Sequence, residues 1–166
     1  MNEIFQLAIN LEKEALISYL RFAQQIAELA GKNLFIRLAM DEFEHIEILE
    51  KEQKYFEKEK SFKDVEIPKT EIEKTLPYLK PSLPKKRKVS DLNELNILQM
   101  ALELEKKAIE FYQNQVKESQ DEIIKKIWQR LKEIEEGHYK LIQAEIDSLT
   151  KTGFWFDFRE FSLEEY

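Results

Sequence analysis

The sequence predicts an all-α protein, a four-helix bundle in which a long crossover joins helices two and three. Three observations carry that prediction. The first is punctuation: 166 residues hold only three glycines and four prolines, and three of those prolines fall between positions 77 and 84. The blocks on either side are free to be helix. The second is periodicity, since apolar residues recur every three or four positions through both blocks. The third is an internal repeat. The only two histidines, His45 and His138, lie 93 positions apart, and each closes the same register. That register is Glu (Glu12, Glu105), Ala three on (Ala15, Ala108), Tyr seven on (Tyr19, Tyr112), Glu thirty on (Glu42, Glu135) and His thirty-three on. A duplicated helix pair is its simplest source.

Taken in order, the first helix is expected from residue 3 to about 30. Its apolar face holds Ile4, Leu7, Ala8, Leu11, Ala15, Ile17 or Leu20, Phe22 and Ile26, with Asn2 and Glu3 capping the start and Gly31 as a left-handed stop. The second runs from Asn33 to about Lys58 through Leu34, Ile36, Leu38, Phe43, Ile46, Leu49 and Phe56. A loop as short as Gly31-Lys32-Asn33 makes the two antiparallel neighbours.

Residues 60–90 break the pattern at Pro68, Pro77, Pro81 and Pro84, with a short helical piece around Glu71 to Tyr78. They hold too few apolar residues for a core of their own and read as a connection. The second helix is about 40 Å long at 1.5 Å per residue, and an extended segment of this length runs back along it. The third helix then starts at the same end as the second and lies parallel to it, as in a ferritin-like bundle. It begins at Asp91, with Glu94 completing a capping-box-like start, and ends near Glu118. The fourth follows Ser119 and Glu122 to about Thr150 and stops at Gly153. Gly137, directly before His138, costs about 1 kcal/mol in a helix relative to alanine, so a packing or site reason is expected for it. Residues 1–150 therefore make one bundle domain, and 151–166 an aromatic tail rich in Phe154, Trp155, Phe156, Phe158 and Phe161. That tail either folds back over the bundle's end or contacts another subunit.

Composition narrows the function. With 43% hydrophobic and 36% charged residues the chain is globular rather than disordered. No apolar run approaches the ~18 residues of a membrane span, and the start has no basic region leading into an apolar one. A cytoplasmic protein with no membrane partner is expected. The absence of cysteine excludes disulfides, thiolate metal sites, iron–sulfur clusters and a thiol nucleophile. A net charge of −7 argues against nucleic acid as a partner, and the run Lys85-Lys86-Arg87-Lys88 reads as a solvated loop.

On a helix, residues at i and i+3 share a face, so Glu42 with His45 and Glu135 with His138 each present a carboxylate and an imidazole together. Glu12 and Glu105 sit mid-helix among Leu11, Leu16, Leu104 and Ile109. All six side chains are expected to project inward at one level. Four uncompensated buried carboxylates would cost far more than a net stability of about 5–15 kcal/mol. Two divalent cations match their charge, and mixed oxygen and imidazole ligands favour iron or manganese. Tyr19 and Tyr112, two turns on from Glu12 and Glu105, need a hydroxyl partner if buried. They are expected to hydrogen-bond a ligating carboxylate, or to donate a proton or electron. Asp41 is the expected acceptor for a histidine N–H, while Glu14, Glu44, Glu47, Glu103 and Glu136 are expected in solvent.

From about residue 3 to 150, this pattern resembles the rubrerythrin-type branch of the ferritin-like di-iron carboxylate proteins. The resemblance implies that Glu12, Glu42, His45, Glu105, Glu135 and His138 ligate two iron ions (manganese or zinc as substitutes), with Glu42 and Glu135 bridging. It implies a catalytic part for Tyr19 and Tyr112 beside the ligands. Two departures stand out. Rubrerythrins proper carry a rubredoxin-like domain with four cysteines, and this chain has none. They also carry a further glutamate one turn after the helix-three ligand, where this chain has Ala108. The expected activity is reduction of hydrogen peroxide or dioxygen at a diferrous centre, in defence against oxidative stress, with electrons from a separate donor protein. A ferroxidase or iron-handling protein, or a metal-stabilised partner-binding module, is the alternative. A homodimer is the expected assembly.

Overall fold

A computed structural model describes residues 1–76 and 92–152. The prolines beyond Pro68, the basic run at 85–88, Asp91, Gly153 and the aromatic tail lie outside the described residues. The elements are α1 (Asn2–Gln25), α2 (Leu29–Glu59), α3 (Glu71–Thr75), α4 (Leu92–Glu118) and α5 (Glu122–Thr152). No strand occurs among the described residues. None of the described helices is long and apolar enough to cross a membrane.

Cross-helix pairs fix the directions. Asn2 Nδ2 donates to Glu57 Oε1 and Lys13 Nζ to Glu50 Oε1, so α1 and α2 are antiparallel. Tyr112 bonds Glu12 and Tyr19 bonds Glu105, so α1 and α4 are antiparallel. Asp41 meets His138, and His45 meets Glu135, so α2 and α5 are antiparallel. Helices α2 and α4 therefore run in the same direction, and the connection between them returns the length of the bundle. This is the ferritin-like arrangement.

The first corner differs from expectation. Helix α1 stops at Gln25, where Ile26 turns to extended backbone (φ −79°, ψ 133°) and its N–H closes on the Phe22 carbonyl at 3.1 Å. Ile26 is buried at the turn. An extended corner of this kind needs no left-handed residue, so no glycine marks it. Gly31 is not a stop but a buried residue inside α2. Asn2 is not a cap either, since it lies inside α1 and reaches Glu57. At the start of α5 the cap is Asp121 rather than Ser119: its Oδ1 accepts from the N–H groups of Ile123 (2.8 Å) and Ile124 (3.3 Å). Leu7, Ile17, Leu20 and Phe43, expected on apolar faces, are exposed, and the inward positions of α1 belong to Phe5, Ile9, Glu12 and Tyr19.

Two apolar clusters make the core. One gathers Phe35, Leu38, Ile97, Ala101 and Ile142 around Tyr19. The other gathers Phe5, Ile9, Leu49, Ile127, Trp128 and Leu131 around Tyr112. The crossover is pinned to α5 by Arg130, which donates from Nε to the Ile67 carbonyl (3.2 Å), from Nη2 to the Pro68 carbonyl (2.8 Å) and from Nη1 to Glu73 Oε1 (2.7 Å). Helix α3 opens on a capping box between Thr70 and Glu73 and buries Ile72.

This strap explains Gly137. A Cβ there would lie 3.7 Å from both Glu73 Cγ and Leu76 Cδ1, an ordinary contact, whereas a longer side chain would meet α3. Gly137→Ala is therefore expected to stabilise by up to about 1 kcal/mol through helix propensity, raising Tm by roughly 2–4 °C. Gly137→Leu is expected to lower Tm by pushing α3 off α5. Thermal melts of the two variants check both signs.

Candidate metal centre

The four long helices deliver six candidate ligands to the same level, one each from α1 and α4 and two each from α2 and α5. Glu12 comes from α1, Glu42 and His45 from α2, Glu105 from α4, and Glu135 and His138 from α5. All six are at most 1% exposed. The i, i+3 spacing stacks each Glu–His pair on one helical face, and antiparallel packing of α2 on α5 brings the two imidazoles together. Their rings stack at 5.9 Å between centroids and 16° between planes.

Two overlapping groups result, Glu12, Glu42, His45 and Glu135, and Glu42, Glu105, Glu135 and His138. Within each group, ligand atoms lie within 4.8 Å of one another, and Glu42 and Glu135 belong to both. His45 Nδ1 stands 3.0 Å from Glu42 Oε2, 3.2 Å from Glu135 Oε1 and 3.4 Å from Glu12 Oε2. His138 Nδ1 stands 3.3 Å from Glu135 Oε2, 3.4 Å from Glu42 Oε1 and 3.7 Å from Glu105 Oε1. Both imidazoles thus aim the same nitrogen at the carboxylates.

The hydrogen bonding leaves ligand atoms over. His138 Nδ1, Glu42 Oε1 and Glu135 Oε1 are buried without a hydrogen-bond partner. Buried polar atoms are nearly always satisfied. Lone pairs converging from carboxylate and imidazole at these separations fit divalent cations of the iron, manganese and zinc kind. Oxygen and nitrogen donors without sulfur are one set that those ions accept.

The groups around the ligands hold them in place. Tyr19 donates its hydroxyl proton to Glu105 Oε1, and Tyr112 donates to Glu12 Oε1. The expected bonds from these tyrosines to the clustered carboxylates are present, with a crossing: each tyrosine serves the glutamate of the other half. The antiparallel register of α1 on α4 dictates it. Asp41 Oδ2 accepts from His138 Nε2 at 3.1 Å, as expected. Glu14, Glu44, Glu47 and Glu103 are exposed and Glu136 half-buried. Arg130, which spacing alone did not single out, sits on the strap rather than in the centre.

Burial sets the protonation. It pushes Glu12 well above the usual carboxylate range, helped by the charges of Glu135 and Glu42. Burial likewise raises Glu105, with Glu135 again adding repulsion. Burial opposes the charge on Glu42, but the adjacent Glu12 carboxyl and the imidazoles of His138 and His45 outweigh it and hold Glu42 low. In Glu135, burial and repulsion from Glu42 are overcome by the adjacent imidazoles of His138 and His45, so its carboxyl is lowered too. Burial would depress both imidazoles, yet the carboxylates of Glu12, Glu135 and Glu42 beside it raise His45, and the charge of Glu105 with the Asp41 bond raises His138. Burial, then the neighbouring glutamate, raises Tyr19 and Tyr112 and keeps both phenols protonated. The cluster thus has two neutral solutions: four protons on Glu12, Glu105, His45 and His138, or two divalent cations in their stead.

A pH signature follows. Groups raised by folding contribute stability that is complete below their ordinary values, 4.5 for Glu12 and Glu105 and 6.5 for the histidines, and lost as pH rises through the folded values. Glu42 and Glu135, held low, contribute above 4.5 and lose that contribution as pH falls. Chelator-treated protein is expected to lose Tm as pH rises above 6.5, whereas metal-loaded protein gains from the same change because fewer protons compete for the ligands. Melting curves from pH 5 to pH 9, with and without chelator, check it. A Tm that climbs with pH in the chelated sample contradicts this protonation scheme.

Comparison with known proteins agrees with the geometry. Residues 3–146 match the family model described as Rubrerythrin. A structural neighbour is a hypothetical protein from Pyrococcus furiosus, 26% identical, with a TM-score of 0.66 over 90% of this chain and 89% of that one. No curated protein matches the sequence.

Proposed function

This chain belongs to the rubrerythrin family, and on that premise we propose that its buried centre holds two iron ions and reduces hydrogen peroxide or dioxygen. The observation that carries the reading is the pair of overlapping ligand groups sharing Glu42 and Glu135. Glu12 and His45 complete one position, Glu105 and His138 the other, with manganese or zinc as substitutes. Two ferrous ions would supply two electrons, the number that takes hydrogen peroxide to water.

The chain's own residues supply the rest. A narrow cleft between α1 and α4, walled by Leu11, Ala15, Leu104 and Ala108, leads to Glu12, Glu105 and Glu135. It has room for about one water molecule, which excludes a bulky organic substrate. Ala15 and Ala108 are the small residues that leave it open. Tyr19 and Tyr112 hold their protons on Oη against the outer glutamates, which keeps those carboxylates oriented and places a proton donor near each position. The 166 residues contain no cysteine, so the electrons that reset the centre come from a donor protein outside them. The exposed Ile17, Leu20 and Phe43 offer apolar surface of the kind a second copy covers, and a homodimer is part of this proposal.

The test is anaerobic loading with ferrous iron, followed by stopped-flow mixing with hydrogen peroxide and, separately, with dioxygen. Rapid peroxide consumption that recurs when a reductant is added supports the proposal. Stoichiometric oxygen uptake with accumulation of ferric iron would instead indicate ferroxidase iron handling. Inertness to both would leave a structural, partner-binding role for the metal.

A further inference from the structure

The two metal positions look alike under the repeat, but one partner breaks the likeness. Both imidazoles present Nδ1 to the carboxylates, so each carries its remaining proton on Nε2 when it acts as a ligand. His138 Nε2 donates to Asp41 Oδ2 at 3.1 Å, and Arg37 Nε stands 3.9 Å from the other oxygen of that carboxylate. His45 Nε2 is buried and has no hydrogen-bond partner. The repeat explains the difference. Position 134 mirrors Asp41 at the 93-residue offset, and it holds Ile134, a fully buried aliphatic residue. The remaining ligand environment is matched: one outer glutamate each, one tyrosine hydroxyl on that glutamate, and the same shared pair of carboxylates.

Resting on the reading of this centre as a two-metal site, we propose that Asp41 makes the two positions unequal, so that a divalent cation occupies the His138 position first and more tightly. Asp41 acts here as a positioning residue. By accepting the Nε2 proton it fixes the tautomer in which the Nδ1 lone pair faces the metal. Its negative charge also makes His138 the more basic ligand. His45 has no such support, and on binding metal its Nε2–H stays unpaired in a buried setting. The outer partners of metal-bound histidines are worth about 10–100-fold in affinity, and one such partner separates the two positions.

Zinc is the probe. Chelator-stripped protein is crystallised with one equivalent of Zn²⁺ per chain, and the anomalous signal at each position is compared. The His138 position is expected to be about tenfold fuller, the lower end of that range. Asp41→Asn, nearly isosteric but uncharged, is expected to weaken that position by about 10–100-fold and to bring the two occupancies close together. A merely structural role for Asp41 would lower both positions alike. Equal occupancy in the unaltered protein, or a fuller His45 position, overturns the proposal while leaving the two-metal reading intact. Absence of zinc from both positions overturns the two-metal reading and the proposal with it.

Discussion

Charge neutralisation at one buried level is the constraint on which the rest of this structure depends. Four carboxylates and two imidazoles, none more than 1% exposed, share the interior of the bundle. In a medium so poorly solvated, the ionised glutamates persist only with an equal positive charge beside them. Protons or dications can supply it. The six groups are shifted accordingly: burial raises the outer glutamates, while the neighbouring imidazoles hold the two shared glutamates low. A centre built this way responds to metal and to pH as one unit rather than as six side chains.

The same level also ties the two halves of the chain together. Helices α1 and α2 form one antiparallel hairpin and α4 and α5 the other, and the tyrosines cross between them, Tyr19 to Glu105 and Tyr112 to Glu12. Each tyrosine also belongs to one of the two apolar clusters. Ring packing on either side therefore sets the position of the carboxylates between. The duplication is not exact, and its departures fall where the halves have different tasks. Arg37 lies near Asp41, while its counterpart at the 93-residue offset, Arg130, holds the crossover. Only one half has a crossover to hold.

What was legible in the sequence follows the range of the interactions involved. The six inward residues could be read because their types and spacing repeat within single helices, where i, i+3 geometry is fixed. Asp41 was legible from its place one position before Glu42 on the same helix, although the second half does not repeat it. The parallel course of α2 and α4 followed from the length of the connection between them. Other features were not local. Ile26 makes its corner in ordinary extended backbone without glycine or proline, so nothing marked it. Asp121 and Ser119 are both good caps, and which one serves depends on where the chain enters α5. The crossing of the tyrosines needs the register of α1 against α4, and the Arg130 clamp needs the crossover in place. Phe43 fits an apolar pattern yet stands exposed, because around it the inward face of α2 is taken by Asp41, Glu42 and His45, which hydropathy counts as outward. The unequal histidines had a signal in the sequence, since applying the 93-residue offset to Asp41 lands on Ile134.

The central claim is that this polar layer exists to hold two dications. Elemental analysis of the protein purified without chelator, paired with quantitative amino-acid analysis, tests it most directly. The account predicts two transition-metal ions per chain, lost when Glu42 and Glu135 are both replaced by glutamine in a chain that stays helical. A folded chain that carries no metal and takes up none from a solution of ferrous, manganous or zinc ions would contradict it.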